Sequence, residues 1–554
     1  MMTNQYKMSY ALGITGLWPG IGSGHGSWRA GAGWRRWDTS GIGDWRRSDR
    51  NDHACELLRR GVQVRVVDAA PDPVPYCKAL LLWPRTIDVL AELGLADEVP
   101  RRGIRINAFR YYSSGRELIK VHFKPELASW ALPQRSTEDM LRAKLVELGG
   151  RIERGVRLLA LDRMDFSGDP AHSSGITAIL EHPDGHIERY VTPWLVGADG
   201  AGSAVRAQLG LGFSGSTYAS HFLLADAHIE GSLADDEAHY YQSPDGVLVI
   251  VALPNGIFRF FASAPRCSVS ADGRPQVDLA LMQRLVDERG PRGVRLVNPE
   301  WLSVFRVHRR QAEQFQLGRA FLVGDAAHVH SPAGGQGLNT GMQDAHNLAW
   351  KLAAVIHGEA RHRLLGSYTP ERHRVAAQVV RDTDVQTRAW LMRHPLAVAI
   401  RDTAFRLAHH SGLIERNYLP TMAGRRIRYL AEQSTALLGV TQRCERGPLG
   451  VGTVVPLALA RPLRPSASRG GRPRWWLLMR DAGLRIDHLP QVDITIDPTE
   501  LAAVTGCRRT AFLLVRPDGV VAARGHREDL PKLRRWISDL LAPARESIPT
   551  VGVT

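Results

Sequence analysis

Apolar residues recur along this chain in three spacings, and each spacing marks a different element. Short apolar runs stand at Val62 to Val67, Trp194 to Val196 and Ala320 to Val323, and a run of this length bounded by turn formers predicts a strand buried on both faces. Helical spacing precedes the first run and follows the last. Ala54 to Arg60 reads as the tail of a helix that Gly61 stops, and Gly341 to Leu352 reads as a helix of its own. A period of two prevails across residues 213 to 316, as in Gly246 to Ala252 and Gly256 to Ala262, with Pro-Asp-Gly and Pro-Asn-Gly turns between the runs. That pattern predicts an antiparallel sheet. Residues 1 to 53 follow none of these periods: Trp18, Trp28, Trp34, Trp37 and Trp45 lie among Gly, Arg and Ser.

An acidic residue closes each buried run: Asp68, Asp199 and Asp325. After Asp325 come Gly334, Gly335 and Gly337, which remove the Cβ atoms that would keep backbone away from a ligand. The helix beyond them turns its amino end back on that loop, so unpaired N–H groups and the positive dipole end face any group carrying negative charge.

At these residues the chain resembles the class A flavoprotein aromatic hydroxylases, the FAD-dependent monooxygenases that include para-hydroxybenzoate hydroxylase and phenol hydroxylase. Gly324, Asp325, Pro332, Gly335, Gly337, Leu338 and Asn339 resemble the family's second FAD motif, which implies that Asp325 accepts a hydrogen bond from a ribityl hydroxyl. Asp199 and Gly200, with Arg206 in the helix that follows, resemble the Asp-Gly motif that serves FAD and the passing nicotinamide nucleotide. Gln134 matches a glutamine that touches FAD, Lys78 stands where most relatives carry an arginine near the flavin phosphates, and Arg85 follows on the next helix. The implied fold is α/β: a Rossmann-like FAD-binding fold with an interleaved antiparallel β-sheet substrate domain, plus a C-terminal thioredoxin-like domain. The implied reaction hydroxylates a phenolic or polycyclic aromatic substrate with O₂ and NADPH or NADH, through a flavin C4a-hydroperoxide. No catalytic acid or base is nominated. Tyr240, Tyr241, Phe258, Phe260 and Phe261 either line an aromatic pocket or fill a core, and their spacing does not separate the two.

The resemblance fails at the first FAD motif. A dinucleotide-binding unit needs a strand, Gly-x-Gly-x-x-Gly, a helix, a second strand and an acid about 20 positions after the glycines. The second half is present and ends in Asp68 as the ribose acid, but the first half is missing. Gly20 to Gly24 and Gly31 to Gly33 follow no apolar strand. The genetic code offers a reason. Read one nucleotide later, a Trp45 codon followed by an Arg codon must give Gly, and Gly43 to His53 permit Val-Ile-Gly-Ala-Gly-Pro-Thr-Gly-Met-Thr-Met, running into Ala54 once a second shift restores the frame. In the same frame Asp38 to Ile42 permit Ile-Pro-Val-Val-Leu. Residues 1 to 53 are thus either a displaced reading of an ordinary dinucleotide-binding start or a natural, unusual extension.

The expected domains are residues 1–53, aberrant and poorly ordered, with the first strand of the sheet absent or improvised; 54–395, FAD binding with the substrate sheet at about 213–316; 396–440, a helical connection; and 441–546, the C-terminal domain. Pro462 to Arg474 reads as a linker, and Arg516-Pro-Asp-Gly519 as a hairpin turn. The 554 residues are 44% hydrophobic and 23% charged, ordinary for a globular protein, and carry a net charge of +15. The surplus is scattered along helices, which argues against a nucleic-acid stripe. With no apolar span and no secretion signal, the expected location is cytoplasmic, with a possible homodimer. Cys55, Cys77, Cys267, Cys444 and Cys507 have neither CxxC nor metal-site spacing, so no metal is expected. His328 and His330 read as orienting or packing residues rather than bases. Two other functions remain open: an epoxidase-type enzyme on the same fold, and a flavin-deficient inactive remnant.

Overall fold

The computed structural model describes residues 10–14, 47–73, 78–162, 175–264, 268–269, 275–436, 438, 449–455, 474–480, 491–495 and 497–541. The linker expected over Pro462 to Arg474 lies almost wholly outside these residues. So do Cys77, Cys267 and Cys444 and most of residues 1 to 46.

The buried runs assemble into a six-stranded sheet in the order Gln316–Leu317, Ala320–Leu322, Trp194–Gly197, Tyr10–Ile14, Val64–Asp68, Ile152–Arg154. Trp194–Gly197 runs parallel to Ala320–Leu322, and Val64–Asp68 runs parallel to Ile152–Arg154. Both faces are covered, so Val66, Val67, Leu195, Val196, Phe321 and Leu322 are all buried. This is why these strands lack alternation. The helix after Ala320–Leu322 spans Gly337–Ile356, four residues earlier and four later than its apolar spacing predicts. Gly337 and Gly341 do not break it, because its whole surface is enclosed and packing outweighs their low propensity.

The central strand is drawn from residues 1 to 53. Tyr10–Ile14 fills the slot between Val64–Asp68 and Trp194–Gly197 and runs antiparallel to both. Its Tyr10 end lies beside Asp68, so it leads away from the sheet edge at which the four mutually parallel strands end.

The second sheet has eight strands, in the order His328–Val329, Arg295–Ala312, Phe213–Glu230, Ile257–Ala264, Gly246–Leu253, Glu237–Ser243, Ala108–Ser113, Arg116–His122. Its register sorts the aromatic residues that spacing left ambiguous. Tyr241, Phe258 and Phe260 pack with Met282, Leu285 and Val286 of the helix Leu279–Arg289, and so belong to a core on the outer face. Tyr240 and Phe261 point the other way, Tyr240 against Tyr111 and Trp390, and Phe261 against Phe222 and Phe305.

A small C-terminal sheet orders Gln491–Thr495, Trp475–Met479, Phe512–Val515 and Val521–Gly525, with the helix Leu530–Leu540 beside it. Trp475 packs edge-on against Trp350 of the Gly337–Ile356 helix. Arg516, at the start of the predicted hairpin turn, donates to Glu371 and Asp518, while Lys351 donates to the same Glu371 at 2.8 Å. Burial opposes the charge on Glu371, but Arg516 and Lys351 outweigh it and hold its carboxyl far below the usual range. Removing one member of so closed a cluster would strand its partners in a low-dielectric interior.

Candidate functional site

Because Tyr10–Ile14 is antiparallel to both neighbours, Val64–Asp68 and Trp194–Gly197 are parallel to each other, and four strands point their carboxyl ends at one edge. Asp68, Asp199 and Asp325 therefore emerge on that edge, the position at which open α/β sheets bind ligands. Asp325 sits buried in the turn Gly324–Ala326. Beyond it, after Pro332, Gly334 and Gly335 adopt φ of +69° and +63°, which a side chain would disfavour, and a Cβ on Gly335 would press into Leu81. Asn339 clamps this loop. Its Nδ2 donates to the carbonyls of Leu81 (2.8 Å) and Gly335 (2.7 Å), its Oδ1 accepts from the Trp83 N–H, and the Trp83 indole donates to the Gly334 carbonyl. The helix starts at Gly337 with Leu338 buried beneath it, so its first N–H groups face the loop.

The other expected residues divide between bracing and reaching. Both oxygens of Asp199 are engaged locally, accepting from the Ser203 hydroxyl and from the Val205 N–H at 3.0 Å, just past the Gly200 turn. Arg206 donates to the carbonyls of Ala201 (2.7 Å) and Ala326 (2.8 Å) and lies over Phe213, tying the Asp-Gly turn to the Gly-Asp turn. Gln134 accepts from the Ala79 N–H at 3.2 Å and donates to Glu138. The Lys78 ammonium lies over the Phe305 ring. Arg85 turns to the C-terminal unit, donating to the Asp518 carbonyl at 2.7 Å.

One group that motif reading passes over holds the loop from below. Asp344 accepts from the Gly324 N–H (3.1 Å), from His328 (2.7 Å) and from Arg372 (2.6 Å). Burial works against its charge, yet Arg372 and His328 keep its carboxyl below the usual range. The reading of His328 as an orienting residue thus gains a partner. The only signal in the sequence was an acid one helical turn past Gly341, on the face turned to the strands. His330 bonds through Nδ1 with the Ser331 carbonyl, and burial lowers its pKa to about 4. Glu56, Glu92 and His346 also converge. Arg59 bridges both carboxylates and Arg60 pairs with Glu56, so cations already neutralise that cluster.

The half of the cleft beside Val64–Asp68 has a different character. Helix Arg47–Leu58 occupies the place of a dinucleotide-binding helix, with Ser48 to Glu56 all buried. Asp68 is already engaged by Arg50 at 2.8 Å and Arg154 at 3.1 Å. The Asp49 carboxylate fills the space that the missing side chains of Gly324 and Gly341 leave open. Ser48 Oγ, Asp49 Oδ1, Asn51 Nδ2, both Asp52 oxygens and His53 Nε2 are buried with no hydrogen-bond partner. Burial, then the nearby Asp325, Asp344 and Asp52 charges, pushes the Asp49 carboxyl well up. The Gly324–Asn339 side therefore fits the flavin half of FAD, whereas residues 48 to 53 do not fit its diphosphate and ribose half.

The two sheets meet where His328–Val329, part of the loop between Asp325 and Pro332, pairs with Arg310 and Gln311 as the edge strand of the eight-stranded sheet. In the same eight-stranded sheet Phe222 stacks on Phe261 at 5.1 Å and lies 6.3 Å from Phe305. Tyr218 packs beside them and donates its hydroxyl to Asp384 at 2.5 Å, a carboxylate also held by Arg309 and Arg388.

Residues 53–383 match the family described as FAD binding domain. The chain is 32% identical to 6-methylpretetramide 4-monooxygenase of Streptomyces rimosus, over 90% of this chain and 93% of that one. It is 31% identical to rifampicin monooxygenase of Streptomyces venezuelae, over 87% and 95% of the two chains. Among solved structures, an anhydrotetracycline hydroxylase of Streptomyces rimosus superposes with a TM-score of 0.68 and 26% identity, over 90% of this chain and 97% of that one.

Proposed function

Because the chain belongs to the FAD-dependent aromatic hydroxylases, we propose that it places one oxygen atom from O₂ on a multi-ring phenolic substrate, with NADPH or NADH as reductant. Bound FAD supplies the oxygen-activating chemistry. The observation that carries the choice of substrate is the seam itself: the loop after Asp325 is also the edge strand of the sheet that presents Phe222, Phe261 and Phe305. Apolar ring faces on adjacent strands suit a flat, extended aromatic ligand by stacking and exclude water from the reacting edge. Full-length similarity to enzymes named for 6-methylpretetramide and rifampicin supports several fused rings over a single one.

On that face Tyr218 is the polar group positioned to orient a substrate hydroxyl. Asp384, itself held by Arg309 and Arg388, fixes its hydroxyl hydrogen bond. Asp325, the Gly334–Gly337 backbone and the amino end of the following helix would hold the flavin, with Arg206, Gln134 and Asn339 keeping the surrounding turns in place. The C-terminal unit, read as thioredoxin-like, carries Cys444 and Cys507 without CxxC spacing, so we assign it a bracing role through Arg516 and Glu371 rather than a redox one. The buried Cys55 thiol, donating to the Leu141 carbonyl, suits a reducing, cytoplasmic setting.

The test is substrate-stimulated NAD(P)H oxidation in FAD-supplemented protein, with product mass read by mass spectrometry, across one-ring and four-ring phenols. Addition of one oxygen to the four-ring compounds is expected. Stimulation by one-ring phenols alone would reverse the substrate assignment.

A further inference from the structure

We propose that the residues before Ala54 are a displaced reading of this chain's own dinucleotide-binding start, and that Ser48 to His53, as they stand, close the diphosphate and ribose half of its FAD cleft. The proposal rests on the family reading for the identity of the ligand, and on four observations of the chain for the misfit.

The first is a break in chemistry inside one helix. Arg47–Leu58 is continuous and buried, yet Ser48, Asp49, Asn51, Asp52 and His53 each leave a buried polar atom without a partner, whereas Ala54, Cys55, Leu57 and Leu58 join the main core. Buried polar groups are nearly always satisfied, so a run of orphans ending between two consecutive residues is a boundary in the encoding rather than in the fold. The family match begins at the same place, residue 53.

The second is occupancy of the acid. Arg50 reaches Asp68 at 2.8 Å, so the carboxylate expected to accept the ribose hydroxyls is taken by a guanidinium from the helix itself. The third is occupancy of the glycine side. Buried Asp49 fills the space beside Gly324 and Gly341, and Asp52 lies in the same helix. A diphosphate needs bare backbone N–H groups and the positive helix end there, and a carboxyl side chain keeps that backbone away from it. The fourth is direction. Tyr10–Ile14 fills the central slot antiparallel to its neighbours, so it cannot deliver a glycine loop to the ligand edge as the first strand of such a unit does.

The displaced frame answers all four at once. From Asp38 to His53 it permits Ile-Pro-Val-Val-Leu-Val-Ile-Gly-Ala-Gly-Pro-Thr-Gly-Met-Thr-Met. That is an apolar strand leading into glycines at 45, 47 and 50, with Asp49 replaced by Thr and Arg50 by Gly. The arginine that engages Asp68 disappears, and the orphaned side chains become small or apolar.

Two full-length chains test this, one as written and one with positions 38 to 53 changed to the displaced-frame residues. Each is saturated with FAD and desalted, and its flavin is measured after denaturation. The restored chain is expected to retain about one flavin per chain and the written chain at least about tenfold less, as loss of the phosphate-binding amides and helix dipole implies. Equal retention by both chains overturns the proposal and leaves the family reading standing. Retention by neither overturns both. Sequencing codons 37 to 54 gives an answer independent of folding: a displaced frame that encodes no glycine at 47 or 50, or that meets a stop codon, overturns the proposal. Melting temperature without FAD adds a third readout. The restored chain is expected to melt higher, and a lower value counts against the assignment of the orphaned groups.

Discussion

Two helices open the two halves of the cleft, and they differ in how they handle buried polarity. In Gly337–Ile356, Asn339, Asp344, Asn347 and Lys351 are all buried and each has a named partner, and the unanswered atoms, His346 Nε2 and Trp350 Nε1, stand apart from one another. In Arg47–Leu58, Ser48, Asn51 and Asp52 are equally buried and each leaves an atom unanswered, within one run of neighbours. Burial of polar groups is therefore not the sign of a misfit. An unbroken run of unsatisfied ones is, because desolvation is costly only where no new bond replaces water.

The sharpest way to break this comparison is to damage the satisfied helix. Arg372→Met leaves Asp344 and His328 facing each other without their cation, and should cost about 3–5 kcal/mol in urea unfolding. A loss below about 1 kcal/mol would mean that the Asp344 network contributes little and that the contrast is overdrawn.

The opposite sign is expected in the other helix. Asp52→Leu removes a carboxylate with two unpartnered oxygens, whose pKa burial and then Glu56 push well up. It should stabilise the written chain by about 2 kcal/mol. A destabilisation would show that Asp52 has a role in the fold that its geometry does not reveal.

A pH series sharpens the point further. Burial lowers His53 and His330 to about 4, so both are neutral in the fold, whereas an unfolded histidine takes up a proton below about 6.5. Stability from these groups is thus intact above pH 6.5 and falls as pH drops toward 4, by about 2 kcal/mol per histidine at pH 5. His53→Met should remove its share of the drop between pH 7.5 and 5, while His330 keeps its own. An unchanged slope would place His53 in contact with water.

The smallest effect concerns the flavin half. In the chain carrying the displaced-frame residues, Asp325→Ala should weaken FAD binding about tenfold with the melting temperature of the apoprotein little changed, since one ribityl hydroxyl loses its acceptor. Unchanged affinity in a flavin titration would remove Asp325 from the site.

Much of this was legible in the residues. The runs at Val62, Trp194 and Ala320, the acids that close them and the glycines after Asp325 identify a cofactor edge, because strand burial and turn chemistry are written within a few neighbouring positions. The break near residue 53 was legible for the same reason, as a loss of any period. Tertiary structure alone decided the rest. It brought Asp344 to His328 and Arg372, turned Phe261 toward Phe222 while sending Phe258 and Phe260 to the other core, sent Arg85 to the C-terminal unit, set Tyr10–Ile14 antiparallel in the central slot, and carried Arg50 to Asp68. Each of these joins residues far apart in the chain or depends on strand register, and neither local spacing nor composition encodes which distant partner a buried group will meet.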